Sequence, residues 1–255
     1  MKVGCAILGV WAIATFDHPW RMYSKFLSAR RFLMTGSDSE LANRNYTVKI
    51  GDYLSRGWDI FKEFAWAFVL FTLLLAVIGF MLSLLPAPIG SNAEGQGGLA
   101  NAIVSPVLGA GFYIVALGIM KGRSYSFSDF FQGFQNFLPI FLVSLVGSLI
   151  TALGLVLLLI PGIYIGVCYL FGMCFVIEKR LDFWDALEAS RKIVTREWFS
   201  MFGFVLVLVL LNVGGALLCG LGLLVTIPWS ACAVAAAFED IVGLNQSDTI
   251  ADSSI

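Results

Sequence analysis

Residues 199–238 read FSMFGFVLVLVLLNVGGALLCGLGLLVTIPWSACAVAAAF, forty residues without one charged side chain. A single helix of that length would extend about 60 Å, roughly twice the thickness of a bilayer's hydrocarbon layer. The stretch therefore has to fold back on itself. Gly220-Leu-Gly222 is the natural place, giving spans at about 199–219 and 221–238. Pro228 then falls inside the second span, where neighbouring helices can satisfy the carbonyl it frees. The alternative is one long tilted helix with a re-entrant piece.

Four more apolar runs lie upstream. The first, 65–85, is closed by Pro86-Ala-Pro88. The second covers 99–120. The third, 138–160, ends at Pro161-Gly162, and the fourth, 162–178, is short and crosses with Lys179 and Arg180 snorkelling. Pro161, Gly162 and Pro228 are read as structural turns. The chain of 255 residues is 59% apolar and 13% charged, with mean hydropathy +0.87. Soluble domains run near 45–50% and 25%. The bilayer is thus the default solvent, and the fold class is an all-α integral membrane protein, a six-helix transmembrane bundle. A net charge of −1 offers nothing to nucleic acid.

The segments between these hairpins are amphipathic. In 182–198, Phe183, Ala186, Leu187, Ser190, Ile193, Val194 and Trp198 make a helical stripe, while Asp185, Glu188, Arg191, Lys192 and Arg196 cover the rest. Asp182 is placed to cap this helix, and Glu188 and Lys192 stand i,i+4 in the favourable order. Residues 50–64 repeat the scheme with Ile50, Tyr53, Leu54, Trp58, Phe61 and Phe64, and 126–137 do so with less charge. Such helices lie in the headgroup plane with the aromatic face down. Ile50-Gly-Asp52, Phe127-Ser-Asp129 and Phe183-Trp-Asp185 each open such a segment, and the following spans run to Pro86, Pro161 and Pro228. The pattern reads as three repeated units of interfacial amphipathic helix plus two spans, against chance likeness between hydrophobic hairpins.

Of the sixteen Lys and Arg, nine precede residue 63 and the other seven follow the second and fourth spans. The connections after the first, third and fifth spans hold none. Basic residues mark the cytoplasmic side, so both termini and both amphipathic linkers are expected in the cytoplasm, the far side holding short turns and the Gly90–Gly98 loop.

Residues 1–33 fit no part of this scheme. Val3–Phe16 is too short to span; signal cleavage after Ala12-Ile-Ala14 would put Arg21, Lys25, Arg30 and Arg31 on the wrong side. The segment is either membrane-surface or precedes a natural start at Met34. Residues 34–46 are a polar leader, 47–243 the membrane domain, and 244–255 a disordered polar tail.

Chemistry is sparse. The sole histidine, His18, lies in the leader. Cys168, Cys174, Cys219 and Cys232 sit in apolar runs without the clustering that metal or disulfide frameworks need, so no cofactor or metal is expected. No charge stands at mid-depth, which argues against proton or ion coupling. Asn212 is the costliest intramembrane polar residue, suited to a helix–helix hydrogen bond or a polar substrate contact. Arg191, Lys192 and Arg196 either hold a lipid headgroup or form a solvated, ion-paired face.

Leu159-Ile-Pro-Gly-Ile-Tyr164, an apolar span, Glu178-Lys179, Phe183-Trp-Asp-Ala-Leu187, Ser190-Arg-Lys192 and Trp198 together resemble bacterial membrane proteins of the YciC-like family. They also resemble the related membrane domain attached to some glycerophosphodiester phosphodiesterases. Ile227-Pro228 fits the same habit. The resemblance covers about 47–243, its specific part 159–198, and implies a six-span bacterial inner-membrane protein of unassigned activity. The phosphodiesterase activity is not carried over, and no functional residue is transferred. The expected role is non-enzymatic: a scaffold, assembly factor or envelope-homeostasis component whose partners are the bilayer and other membrane proteins. The alternative is a facilitative transporter or lipid-handling permease without proton coupling. A membrane-embedded enzyme lacks the acid–base or metal residues it would need.

Overall fold

The computed structural model describes residues 46–83, 96–123, 125–218 and 220–244. The leader with His18, Pro86, most of the Gly90–Gly98 loop, Cys219 and the tail from 245 lie outside the described residues. Every regular element among those described is helical: α1 (Ile50–Glu63), α2 (Ala65–Ser83), α3 (Gln96–Met120), a 3-10 segment (Phe127–Asn136), α4 (Phe137–Leu157), α5 (Leu159–Cys168), α6 (Gly172–Lys179), α7 (Phe183–Val194), a 3-10 turn (Thr195–Glu197), α8 (Trp198–Leu217) and α9 (Leu223–Val242). Five stretches are long and apolar enough to cross a membrane, namely Ala65–Leu82, Phe127–Leu157, Leu159–Lys179, Phe183–Leu217 and Leu223–Val242. Val104–Met120 is a shorter apolar helix within α3. The chain is a multi-pass, all-helical membrane protein.

The forty-residue run turns between α8 and α9, where Gly220 takes φ +77°, a conformation that costs a side-chain-bearing residue. The three turn residues are corrected. α4 ends at Leu157, and the break is Leu158, extended at φ −157°, ψ 128°. Pro161 and Gly162 stand in the first turn of α5. A proline there loses little, because the first helical N–H groups have no partner in any case. Gly162 lets α5 close on the Leu155 backbone, which a Cβ would strike. Pro228 lies inside α9, as its place within the last span leads one to expect, and marks no turn. The fourth run is not continuous either, since Tyr169–Phe171 separates α5 from α6.

The centre of the fold is α9, which packs on α1, α2, α3 and α8. Its run Ala231-Cys-Ala-Val-Ala-Ala-Ala-Phe238 is buried throughout, because small side chains let helices approach from every side. Dispersion and shape, more than hydrophobicity, hold such a contact in lipid.

The amphipathic segments do not lie on lipid by their apolar stripes. Each stripe docks on protein. In α1, Tyr53, Gly57, Ile60 and Phe61 are buried. Tyr53 donates to Asp240 Oδ2 at 2.8 Å, Trp229 Nε1 donates to Leu54 O at 3.1 Å, and Arg56 pairs with Glu239, all seating α1 on α9. The 3-10 segment buries Phe130 and Gly133, three residues apart as its tighter winding requires. Phe130 stacks on Phe71 at 4.4 Å and meets Phe68 edge-on at 5.3 Å. α7 buries Ala186, Leu187, Ala189, Ser190, Ile193 and Val194 against its neighbours α4, α5 and α6. Trp184 and Phe134 are the large apolar residues these segments leave exposed, at 57% and 47%.

Candidate functional site

At the end of α3 stands Lys121, and at the end of α6 stands Glu178. Their side chains meet at 2.8 Å with exposures of only 8% and 4%. Desolvating both charges is costly, and the geometry has to recover that cost through direct contact. The pair forms one wall of a cavity of about 290 Å³, whose other polar walls include Arg123, Tyr125, Asp129, Gln132 and Arg180.

Each wall has a local cause. Gly118 leaves room for the Tyr125 ring, which any Cβ on α3 at that point would overlap. Burial pushes the Tyr125 hydroxyl above its ordinary value, and Arg123, hydrogen-bonded to it, pulls the other way. Asp129 is occupied by its own segment: Oδ2 accepts from the Ser126 N–H at 2.7 Å and Oδ1 from Gln132 Nε2 at 2.7 Å. Arg180 ends α6 in the left-handed region at φ 50°. That conformation costs a non-glycine residue about 1–2 kcal/mol, and it leaves Arg180 in the cavity wall.

A second cavity of about 440 Å³ opens between α4 and the α5–α6 pair. Gly147 and Gly172 hollow it out, and Leu187 of α7 closes it, its Cδ2 3.3 Å from where a Cβ on either glycine would stand. Ser144, Ser148, Thr151 and Tyr169 are its hydroxyl-bearing wall residues, and two of the four spend their hydroxyls on their own helix. Ser148 donates to Leu145 O at 3.0 Å and Thr151 to Gly147 O at 2.8 Å.

The residues singled out from sequence are scattered. Asn212 lines neither cavity. Its Nδ2 donates to Leu208 O and to Ser230 Oγ, both at 2.8 Å, so the amide ties α8 to α9. Its Oδ1 and the Thr226 hydroxyl are buried without a hydrogen-bond partner. Arg191 makes a two-pronged contact with Glu188 at 2.8 and 2.9 Å, and Lys192 stands 3.7 Å from the same carboxylate. The Arg191 guanidinium holds the Glu188 carboxyl below the usual carboxylate range. Asp182 begins α7 without a side-chain capping bond. Arg196 is exposed and apart from the cavity.

Sequence reading took Lys121, Arg123 and Arg180 only as markers of topology and Glu178 only as part of the family resemblance. A signal was present: Glu178 is an acid set into the basic end of an apolar run, and Lys121 ends another run on the same side.

Protein-family models, curated proteins and solved structures contain no match to this chain.

Proposed function

We propose that the chain is a non-enzymatic scaffold, assembly or envelope-homeostasis component of a bacterial inner membrane, with six spans and both termini in the cytoplasm. The observation that carries this reading is the use made of Asn212. Among the described residues, the one strongly polar mid-span side chain donates to Ser230 on the neighbouring helix and touches neither cavity. A transporter path needs such groups turned toward a lumen.

Six spans require α3 to cross, and its 25 residues are long enough at 1.5 Å per residue. Support for three repeated units comes from the docked segments. Three residues after each opening residue stands a buried side chain: Tyr53, Phe130 and Ala186. One turn further stands a small residue against a neighbour's backbone, and the step is four residues in the α-helices and three in the 3-10 segment. Gly57 faces Ala233, Gly133 faces Val107 O, and Ser190 bonds Cys168 O. Each segment thus leans on the second helix of the unit before it, and α1 leans on α9, the last.

Lipid handling is the second reading, favoured by the groove between α4 and α5–α6 that opens beside Ser148. Reconstitution separates the two. Liposomes containing the chain should exchange a fluorescent phospholipid between leaflets no faster than empty ones; faster exchange would replace the scaffold reading with a permease. Topology is checked by reporter fusions at Gly95 and Ser126, expected in opposite compartments.

A further inference from the structure

We propose that the turns of two hairpins, α4–α5 and α8–α9, end among the acyl chains of the far leaflet and never meet the water beyond it. The proposal rests on the membrane placement given above, with the charged helix ends at the cytoplasmic boundary. Every residue from Leu155 to Ile160 is exposed, as are Leu217, Leu218 and Leu221. Neither 152–163 nor 213–225 carries one side chain with an oxygen or nitrogen atom. In water these two tips would hold open aliphatic surface that nothing in the chain covers. The connection after the first span is of the other kind, with Ser91, Asn92, Glu94 and Gln96 in its sequence.

The helices are too short to carry the turns clear of the hydrocarbon. Glu239 pairs with the half-exposed Arg56 and so stands at or outside the near boundary. From there to Leu221 is eighteen residues, about 27 Å of helix, against a hydrocarbon layer of about 30 Å. From Glu178 to Leu158 is twenty residues, about 30 Å when upright and less with any tilt. A turn can remain in hydrocarbon only if its backbone groups find partners within the protein. Between α8 and α9 the N–H groups of Gly220, Leu221, Leu223 and Leu224 bond to the carbonyls of Ala216, Leu218, Gly220 and Leu221. Between α4 and α5, Leu158 N–H bonds Gly154 O and Gly162 N–H bonds Leu158 O, and Pro161 brings no N–H at all. A glycine pair pinches each tip. A Cβ on Gly154 would stand 2.9 Å from Gly162 Cα, and one on Gly222 2.6 Å from Gly215 Cα. The chain thus reverses in two tight loops that show aliphatic side chains outward. The far headgroups close over both, and the connection after the first span alone brings polar side chains to the far water.

Spin labels test this in the full chain, reconstituted in dioleoyl phosphatidylcholine vesicles with the native cysteines replaced by alanine and one cysteine introduced at a time. Labels at Val156→Cys and Leu221→Cys should collide with oxygen at least threefold more often than with a water-soluble nickel chelate. A label at Asn92→Cys should show the reverse. Nickel collisions at either tip as frequent as at Asn92 would overturn the proposal. Val156→Asp, in the chain with its own cysteines, is the second measurement and decides the matter if the alanine-replaced chain does not fold. It should lower the folded chain recovered from membranes at least threefold, whereas Ser91→Asp should match the parent. At a position 84% exposed, parental recovery of Val156→Asp would put the tip in water and refute the immersion. Failure of the membrane placement itself shows separately, as reporter fusions at Gly95 and Ser126 in one compartment, and would remove this proposal with it.

Discussion

Ser190→Ala is expected to cost about 2–4 kcal/mol, a large penalty for the loss of one oxygen atom. The fourth apolar run breaks at Tyr169–Phe171. At the break Gly172 N bonds Tyr169 O and Leu170 N bonds Val167 O, in place of the usual i→i−4 partners. Cys168 O and the Phe171 N–H are thereby left out of the helical ladder. The Ser190 hydroxyl serves both, donating to Cys168 O at 2.6 Å and accepting from Phe171 N–H at 3.1 Å. Ser190 is wholly buried, so water cannot replace it. Each buried backbone group left without a partner costs about 1–3 kcal/mol. The low half of that range applies because hydrogen bonds among membrane helices average about 0.6 kcal/mol. The assay is equilibrium unfolding in mixed micelles, followed by tryptophan fluorescence. Ser200→Ala is the control, its hydroxyl bonding only the exposed Glu197 at 3.2 Å, and should stay within about 0.5 kcal/mol of the parent. If Ser190→Ala unfolds alongside that control, α7 does not hold the broken span together and its docking is incidental.

Gly57→Ala places a Cβ 2.6 Å from the Ala233 nitrogen and Cα; overpacking at about 1–3 kcal/mol should outweigh the helix-propensity gain and lower the unfolding midpoint. Gly51→Ala, with open space around it, should leave the midpoint unchanged or raise it. Lys121→Met and Glu178→Met should each destabilise the fold by breaking a buried ion pair, whereas Lys121→Met/Glu178→Met should cost less than the sum of the two; a double-mutant cycle showing simple additivity would contradict the pairing. Tyr46, whose hydroxyl donates to Ile193 O at 2.8 Å, has its pKa pushed up to about 12 by burial, with Glu197 adding to the rise and Arg196 opposing it. Its contribution is complete below pH 10 and is lost as pH climbs from there through about 12. Tyr46→Phe should therefore remove that part of the alkaline loss of stability, and an unchanged profile would show that the hydroxyl is not linked to folding.

Much of this architecture is written in simple periodicity. The apolar runs are helices, the stripe of 182–198 holds most of the buried face of α7, that of 50–64 supplies Tyr53 and Phe61 to the buried face of α1 while Gly57 and Ile60 come from outside it, and the forty-residue run folds back beside Gly220. What stayed hidden was set by packing. Leu158 is an apolar residue inside an apolar run, and nothing local marks it as the break; the close approach of Gly162 to Leu155 does. Pro161 misled for a related reason, since a proline is accepted in a helix's first turn, where the lost N–H has no partner to miss. The 3-10 winding of 127–136 was invisible because Phe130 and Gly133 satisfy a period of three as well as a coarse helical stripe. The destination of the aromatic faces was hidden too, because amphipathicity states that a face seeks an apolar surface and does not say whether lipid or protein provides it. Here Gly57, Gly133 and Ser190 decide for protein, being small enough for a neighbour's backbone to come into contact.

That choice has a consequence for assembly. α1 stands first among the described elements, yet its partner is α9, the last. The Tyr53–Asp240, Arg56–Glu239 and Trp58–Trp229 contacts all join residues more than 170 positions apart. A helix with a polar face and a stripe holding Tyr53, Trp58 and Phe61 has a ready temporary surface in the membrane interface while α9 is missing. The interfacial placement read from sequence then describes the segment before α9 arrives, and the docked one describes it afterward. The same residues serve both because lipid and a helix of small residues offer nearly equal apolarity, and the difference lies in the contacts that Gly57 alone allows. A chain truncated before Leu223 should therefore keep α1 at the membrane surface and leave Tyr53 open to a tyrosine-nitrating reagent, whereas the full chain, in which Tyr53 is buried, protects it; equal nitration at Tyr53 in the two would show that α9 does not capture α1.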